Sequence, residues 1–402
     1  MSASTATRIQ VARGTGPEPG DYAAAACALG PALRARAAAC EAARTVPAET
    51  IADFHRAGFF RMLQPRAFGG AETGLMDFYE VVTEVARHCG ASGWVLSILG
   101  IHAWQLGLFP RSVAEAVWGA DPQMLASSSY NPTGTARAVP GGYELSGRWS
   151  FSSGCDHAGW ALLGALAPAR DMPACPWTFL VPMADLRIED TWHVAGLCGT
   201  GSKDVVIDKA FVPSDRALSF LDSFLLDNPG KAWNAGPLYR LPFGLVFSGT
   251  ITAPAIGIAQ GAIEDFRAQA YARRTHDGAC PGEDPEVQHA LATSIADVAA
   301  ARALFRADIA ELTAAADADV PPSVARRAQI RFQEARAIAL CMGAIDRLYA
   351  IAGGRAIYQS NPLQRAFRDI HAIRVHPCAV LERPGRNAMR VAAGEPSTDL
   401  LL

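Results

Sequence analysis

Residues Ala138–Phe151 read AVPGGYELSGRWSF, and Tyr143–Asp156 carries the segment on as YELSGRWSFSSGCD. The first stretch reads as two short strands about the Gly141–Gly142 turn. Downstream, Gly196–Asp215 reads GLCGTGSKDVVIDKAFVPSD, a glycine-rich turn leading into a strand-like run at Asp204–Val212. Gly159–Ala167, Trp177–Pro182 and Leu186–Glu189 are further strand-like runs with turn signals between them. Residues 122–225 are therefore expected to form a central β-barrel-like domain.

On both sides the pattern is helical. Ala23–Arg44 is rich in Ala and Arg. A second helix starts near Pro47–Thr50 and carries Ile51, Phe54 and His55. Phe59–Gly70 reads as an apolar turn, and Asp77–Cys89 and Gly93–Phe109 as two more helices. After Pro242, Ile256, Ile263, Phe266 and Ala270 recur at helical spacing, as do Ile295, Val298, Arg302 and Phe305. Pro321–Ala352 gives a third long helix, and Leu363–His376 begins a fourth. The expected fold is α+β, mainly α. It has an N-terminal helical domain (1–121), the β-domain, and a C-terminal four-helix bundle (226–402).

At 402 residues the chain exceeds the roughly 250–300 that a single core usually serves. Half of it is apolar, 19% is charged and the formal net charge is -3, with no block of like charge. Nucleic acid and an anionic membrane surface are not expected partners. The first twenty residues lack the basic start and apolar stretch of a secretory signal. Gly93–Phe109, interrupted by His102 and Gln105, falls short of the roughly 20 residues of a membrane span. Nine cysteines without a CxxC pair fit free thiols in a reducing cytoplasm. No metal-site spacing, Walker loop or Rossmann glycine motif is present, so no bound metal is expected.

The two β-domain stretches and the helix–β–helix order resemble the acyl-CoA dehydrogenase superfamily. Within it they resemble the two-component flavin monooxygenases: 4-hydroxyphenylacetate and seco-steroid phenol hydroxylases and polyketide-tailoring hydroxylases. The resemblance runs from about Glu49 to His376. Dehydrogenases of the family carry a Glu base and a Tyr-Glu-Gly-Thr type segment after the last bundle helix. Here that region reads RDIHAIRVHPCAVLERPGRNAMR, with His371 and His376 in place of acidic and small residues. This departure favours oxygen chemistry over dehydrogenation.

The resemblance implies a reduced flavin, FMNH2 or FADH2, delivered by a separate NAD(P)H:flavin reductase. It implies O2 as co-substrate, a small aromatic substrate (phenolic or polycyclic) and a homotetramer sharing its flavin sites. Ser152 and Ser153 would lie near the flavin N5 edge with Trp149 nearby, and a hydroxyl there would protect a flavin C4a-hydroperoxide. The plain reading of the serines is a polar strand end. Trp192 matches a ring-contacting position, or packs in the β-domain. Gly199, Gly201 and Ser202 form a close-approach turn. Arg273 and Arg274 match a phosphate-binding position, or simply end a helix. Gly353 and Gly354 match a flavin-contacting pair, or mark a helix C-terminus.

His102 lies in the apolar stretch SILGIHAWQLGLF. Taken alone it reads as a satisfied core histidine. The resemblance makes it the base that deprotonates a phenol, with the ordinary imidazole value near ~6.5. Ser128, in SSSYNPTG, matches a substrate-side serine, or belongs to a turn. His371 and His376, five apart on an expected single helix, would point about 140° apart. His371 is expected on the oxygen side of the flavin and His376 at the cofactor, with His157 and His193 on the β-domain surface. The competing functions are N- or S-oxygenation on the same fold, an acyl-CoA dehydrogenase, and a non-catalytic helical assembly protein.

Overall fold

The computed structural model describes residues 21–402 except 277. The first twenty residues, read above for a secretory signal, lie outside the described residues. Five helices come first: α1 (Asp21–Ala43), α2 (Ala48–Arg56), α3 (Leu75–His88), α4 (Gly90–Leu106) and α5 (Arg111–Trp118). Two short 3-10 turns, Phe59–Arg61 and Arg66–Phe68, occupy the apolar connection after α2.

Seven strands follow: β1 (Ala126–Val139), β2 (Gly142–Ser152), β3 (Trp160–Ala169), β4 (Met172–Pro182), β5 (Arg187–Glu189), β6 (Lys203–Pro213) and β7 (Ala217–Ser219). The chain then returns to helix: α6 (Phe220–Phe224), α7 (Phe243–Ala272), α8 (Pro285–Asp317), α9 (Val324–Ile351), α10 (Pro362–Arg374) and α11 (Glu382–Ala392). The fold is α+β and mainly α, with the helix–sheet–helix order that the resemblance implies.

The strands form one sheet in the order β5-β6-β2-β1-β3-β4-β7, with β1–β3 parallel and the other pairs antiparallel. This is a linear order with β5 and β7 at its edges, where a barrel-like closure was expected. Its two faces meet different cores. Leu162 and Leu180 join the helical core, while Ala161, Leu163, Phe179 and Val181 line a second core inside the sheet. Period-2 alternation explains the division. The β1–β3 register shifts between Ser129 and Gly134. A Cβ on Gly164 would lie 2.2 Å from the Tyr130 carbonyl oxygen, so only glycine lets β1 run this close.

Three sequence expectations change here. The strands about Gly141–Gly142 are long rather than short, and β1 takes in SSSYNPTG as interior strand instead of a turn. On α8, the buried face runs through Leu291, Ser294, Val298, Ala301 and Phe305. Ile295 is 45% exposed, and Arg302 pairs with Glu80.

The long helix α7 is apolar enough to pass for a membrane span, yet its apolar window is 94% buried inside the protein. It is a core helix, and it carries Pro254. Proline has no N–H, so the carbonyl four residues earlier loses its helical donor. That carbonyl belongs to Thr250, and the Ser97 hydroxyl of α4 donates to it at 2.8 Å. The defect in one core helix thereby fastens the next.

Glu334 on α9 is fully buried. Burial pushes its carboxyl up to about 8, although the Ser248 hydroxyl donates to it and Arg331 lies near. The acid is neutral in the fold and charged in the unfolded chain above its ordinary value of 4.5. Its contribution is complete below that value and is lost as pH rises toward 8, at up to about 1.4 kcal/mol per pH unit. The melting temperature of the protein should fall between pH 6 and 9, and Glu334→Gln should flatten that fall. An unchanged slope in thermal scans of the variant would reject this account.

Candidate active site

Helix α4 is buried along its whole length, from Gly90 to Leu106. A helix that is apolar on all sides must be enclosed by protein, and each polar side chain on it then needs a protein partner. Trp94 finds Ser153: its indole N–H donates to the hydroxyl at 3.0 Å. Ser153 also bonds Ser202 at 2.7 Å, and Ser202 bonds Thr200 at 2.7 Å. Thr200 donates to the Leu197 carbonyl at 2.9 Å. The hydroxyls of the two sequence motifs form one buried chain ending on α4.

The glycine-rich turn is held from behind. Asp369 of α10 accepts the Leu197 N–H at 2.6 Å, and Arg368 donates to the Ala195 carbonyl at 2.5 Å. A Cβ on Gly199 would strike the Cys40 sulfur at 2.4 Å, so that glycine serves packing against α1.

About two turns and three turns farther along α4 stand His102 and Gln105. His102 is fully buried and Gln105 is 1% exposed. His102 Nδ1 lies 3.1 Å from Gln105 Oε1 and 3.3 Å from the Tyr130 hydroxyl. Tyr130 donates to the same Gln105 oxygen. Ser128 and Tyr130, two apart on β1, share a face. Ser127 and Ser129 face away, to Ser152 at 3.1 Å and to the Ser150 carbonyl at 2.6 Å. His102 Nε2 is buried and has no hydrogen-bond partner. Burial pulls this imidazole down to about 3, well below the ordinary value near ~6.5.

Aromatic rings join these two groups. The Tyr130 ring lies 5.0 Å from Phe247, 5.7 Å from Phe243 and 6.0 Å from Phe220. Phe247 lies 6.3 Å from His376, which lies 5.8 Å from Trp94. Burial, then the Arg331 charge, holds His376 down at about 4. Its loop is clamped by Arg331, which donates to the carbonyls of Cys378 and Pro377 at 2.8 and 3.2 Å.

At the outer side of Ser152 and Ser153, Phe151 is 66% exposed. It holds the left-handed φ of 68°, a conformation that costs a non-glycine residue about 1–3 kcal/mol. Its ring meets Trp192 edge-to-face at 6.0 Å, and the Trp192 indole donates to the Leu197 carbonyl at 3.1 Å. A strained, exposed phenyl ring against the half-buried Trp192, backed by buried hydroxyls, fits a flat, partly polar ring such as a flavin.

Several expected site residues stand elsewhere. Trp149 is fully buried in the sheet's own core, its indole donating to the Gly164 carbonyl at 2.6 Å. The alternation of β2 turns it away from Ser152. His371 and His376 do not share a helix: α10 ends at Arg374 and His376 lies in the following turn. His371 bonds Asp346 at 2.8 Å and packs on Phe367, outside the cluster. Arg273 and Arg274 are exposed at the end of α7, with Arg274 donating to the carbonyls of Tyr271 and Arg273. Gly353 and Gly354 are exposed just past α9. The Gln269–Asn361 amide pair ties these two surface segments together. His157 is half-buried beside Thr45 and lines, with His55 and Asp121, a surface cavity of about 390 Å³ separate from the cluster. His193 is exposed. The residues that the sequence did not single out are Trp94, Gln105, Tyr130, Phe151 and Phe247.

Residues 249–380 match the acyl-CoA dehydrogenase C-terminal domain, and residues 29–112 match the acyl-CoA dehydrogenase N-terminal domain. The chain is 39% identical over 384 residues to the flavin-dependent monooxygenase oxygenase subunit HsaA of Rhodococcus jostii (strain RHA1), covering 93% of this chain and 99% of that protein. It is 35% identical over 356 residues to the FADH(2)-dependent resorcinol hydroxylase oxygenase component of Rhizobium sp. (strain MTP-10005), covering 86% and 87%. The crystal structure of 3-HSA hydroxylase from Rhodococcus sp. RHA1 superposes with a TM-score of 0.91 at 37% identity, covering 96% of this chain and all of that one.

The buried imidazole makes the fold acid-sensitive. A histidine held near 3 stabilises the fold above its ordinary 6.5, and that contribution is lost as pH falls from 6.5 toward 3. By pH 5 the loss amounts to about 2 kcal/mol. Denaturant titrations of His102→Gln should therefore show a shallower fall in stability from pH 7 to 5 than the parent protein shows. Equal slopes would mean that His102 is not held neutral.

Proposed function

The chain belongs to the acyl-CoA dehydrogenase superfamily, among the oxygenase components of flavin-dependent monooxygenases that hydroxylate aromatic substrates, and from that premise we propose that it acts on a phenol bound at His102. The reaction uses reduced flavin and O2, and the flavin comes from a separate reductase. When bound, the reduced flavin supplies the electrons that activate O2 for transfer of one oxygen atom to the ring.

The observation that carries the proposal is the unpartnered, buried Nε2 of His102. A buried acceptor without a donor costs about 1–3 kcal/mol, and a phenolic O–H is the donor it lacks. Ser128 and the rings of Tyr130, Phe243 and Phe247 would border the bound ring. A group near 3 is too weak to strip a phenol near ~10 before the chemistry begins, since that gap costs about 10 kcal/mol. His102 would instead take the proton as the ring carbon forms its bond to oxygen. This departs from the free base expected from the sequence.

Ser152, Ser153, Phe151, Trp192 and His376 would hold the flavin ring. Ser153, already ordered by Trp94 and Ser202, would keep a hydroxyl at the reacting edge. Arg273, Arg274, Gly353 and Gly354 would receive the phosphate end of a flavin bound by a neighbouring subunit. That arrangement requires a second subunit, which the homotetramer implied by the resemblance would supply, and the exposed Ile357 and Tyr358, close in sequence to Gly353 and Gly354, support subunit contact on this side. Nine free cysteines support a cytoplasmic setting.

His102→Asn should leave flavin binding intact and slow hydroxylation by about 10²-fold, the lower end of base contributions because the base is weak. Raising the pH should partly restore the rate. A folded variant with normal turnover returns His102 to a core role. Ser153→Ala should raise the share of consumed O2 that ends as H2O2, and unchanged coupling would reject its place at the flavin. Light scattering should give four times the chain mass, whereas a monomer would exclude a shared site.

A further inference from the structure

A neutral imidazole carries one N–H, and the nitrogen that bears it decides what the other can do. On His102, Nδ1 faces Gln105 Oε1 at 3.1 Å and the Tyr130 hydroxyl at 3.3 Å. The Tyr130 proton is committed to Gln105 Oε1. That oxygen has two lone pairs and accepts from both neighbours. With a bare Nδ1, two acceptors would face each other at 3.1 Å in a buried site, and Nε2 would become a buried donor without a partner. With the proton on Nδ1, the contact to Gln105 is a hydrogen bond and Nε2 is an open acceptor.

We propose that Gln105, held by Tyr130, is a positioning residue that locks His102 in the Nδ1–H form and so keeps Nε2 open to the substrate's O–H. The inference rests on the reading of His102 as the phenol's acceptor. In the proton step, the phenolic O–H bond breaks and an Nε2–H bond forms. The electron pair stays on the phenolic oxygen and is fed into the ring. The imidazolium charge is met by the Nδ1–H···Oε1 bond. An amide oxygen does not accept the proton, so it stays on His102.

The lock has a sign that packing alone would not produce. An open acceptor opposes ionisation of a bound phenol, whereas an N–H at Nε2 would favour it. The probe is 4-nitrophenol, whose colour reports its ionisation, bound to the full enzyme with reduced FMN under argon. In the parent enzyme its bound midpoint should lie above its value in water. Gln105→Leu frees the ring to carry its proton on Nε2, and the midpoint should drop by at least about one unit, tenfold in the ionisation constant. Gln105→Glu keeps an acceptor at Nδ1 and should leave the midpoint at or above the parent value. Tyr130→Phe, which lets Gln105 turn, should lower it by less than Gln105→Leu and stands in if that variant does not fold. The same midpoint in Gln105→Leu or Tyr130→Phe as in the parent, with a changed one in His102→Asn, overturns this inference and leaves the role of His102 standing. Failure of 4-nitrophenol to bind, or an unchanged midpoint in His102→Asn, overturns the reading of His102 itself.

Discussion

The structure depends on the enclosure of α4. A helix with no solvent face leaves no polar atom to water, so each one becomes a tie to another element. Ser97 reaches the α7 carbonyl that Pro254 frees. Trp94 reaches the end of β2, Trp104 reaches the Leu238 carbonyl at 2.7 Å, and Gln105 reaches β1 through Tyr130. These bonds fix how the helical and β parts meet. The site lies along the same helix because these ties gather polar groups at its surface within a largely apolar surrounding. His102 Nε2 breaks the rule: it is enclosed like the others and left unpaired.

The fold was legible because its two motif segments sit on β2, on β6 and in the turn before β6, and because apolar periodicity marks long helices well. Individual contacts were less legible, each for a physical reason. Trp149 was placed at the ligand because it stands in the motif, but alternation along β2 sends it inward while the left-handed Phe151 turns outward. That positive φ leaves no mark on the sequence. His376 was read on a helix because nothing before it breaks the pattern, yet α10 stops at Arg374. Gln105 and Tyr130 lie in different segments, 25 positions apart, and their meeting depends on tertiary packing. Ile295 shows the same limit on α8: Val298 and Phe305 are buried as their spacing predicts, but Ser294 and Ala301 take the buried places expected of Ile295 and Arg302.

Burial also sets the charge states. His102 and His376 are both kept neutral by the cost of placing a cation away from water. Glu334 is kept neutral for the converse reason. Arg331 lies between the two regions, near the Glu334 carboxyl and clamped on the loop that presents His376. The bundle therefore contributes more than an apolar wall: it holds one guanidinium at a depth where its charge acts on both groups.

Strand β1 carries Ser128 and Tyr130 toward α4 and Ser127 and Ser129 toward β2, while its pairing to β3 is set by the register shift before Gly134 and by the close pass at Gly164. Because side chains alternate strictly, gain or loss of one residue between Ala126 and Tyr130 would exchange these two sets. Point substitution can adjust the site by degrees, but a change of length cannot. In this segment the site can therefore be reshaped only by side-chain replacement, because any odd change of length would turn Ser127 and Ser129 toward α4 in place of Ser128 and Tyr130.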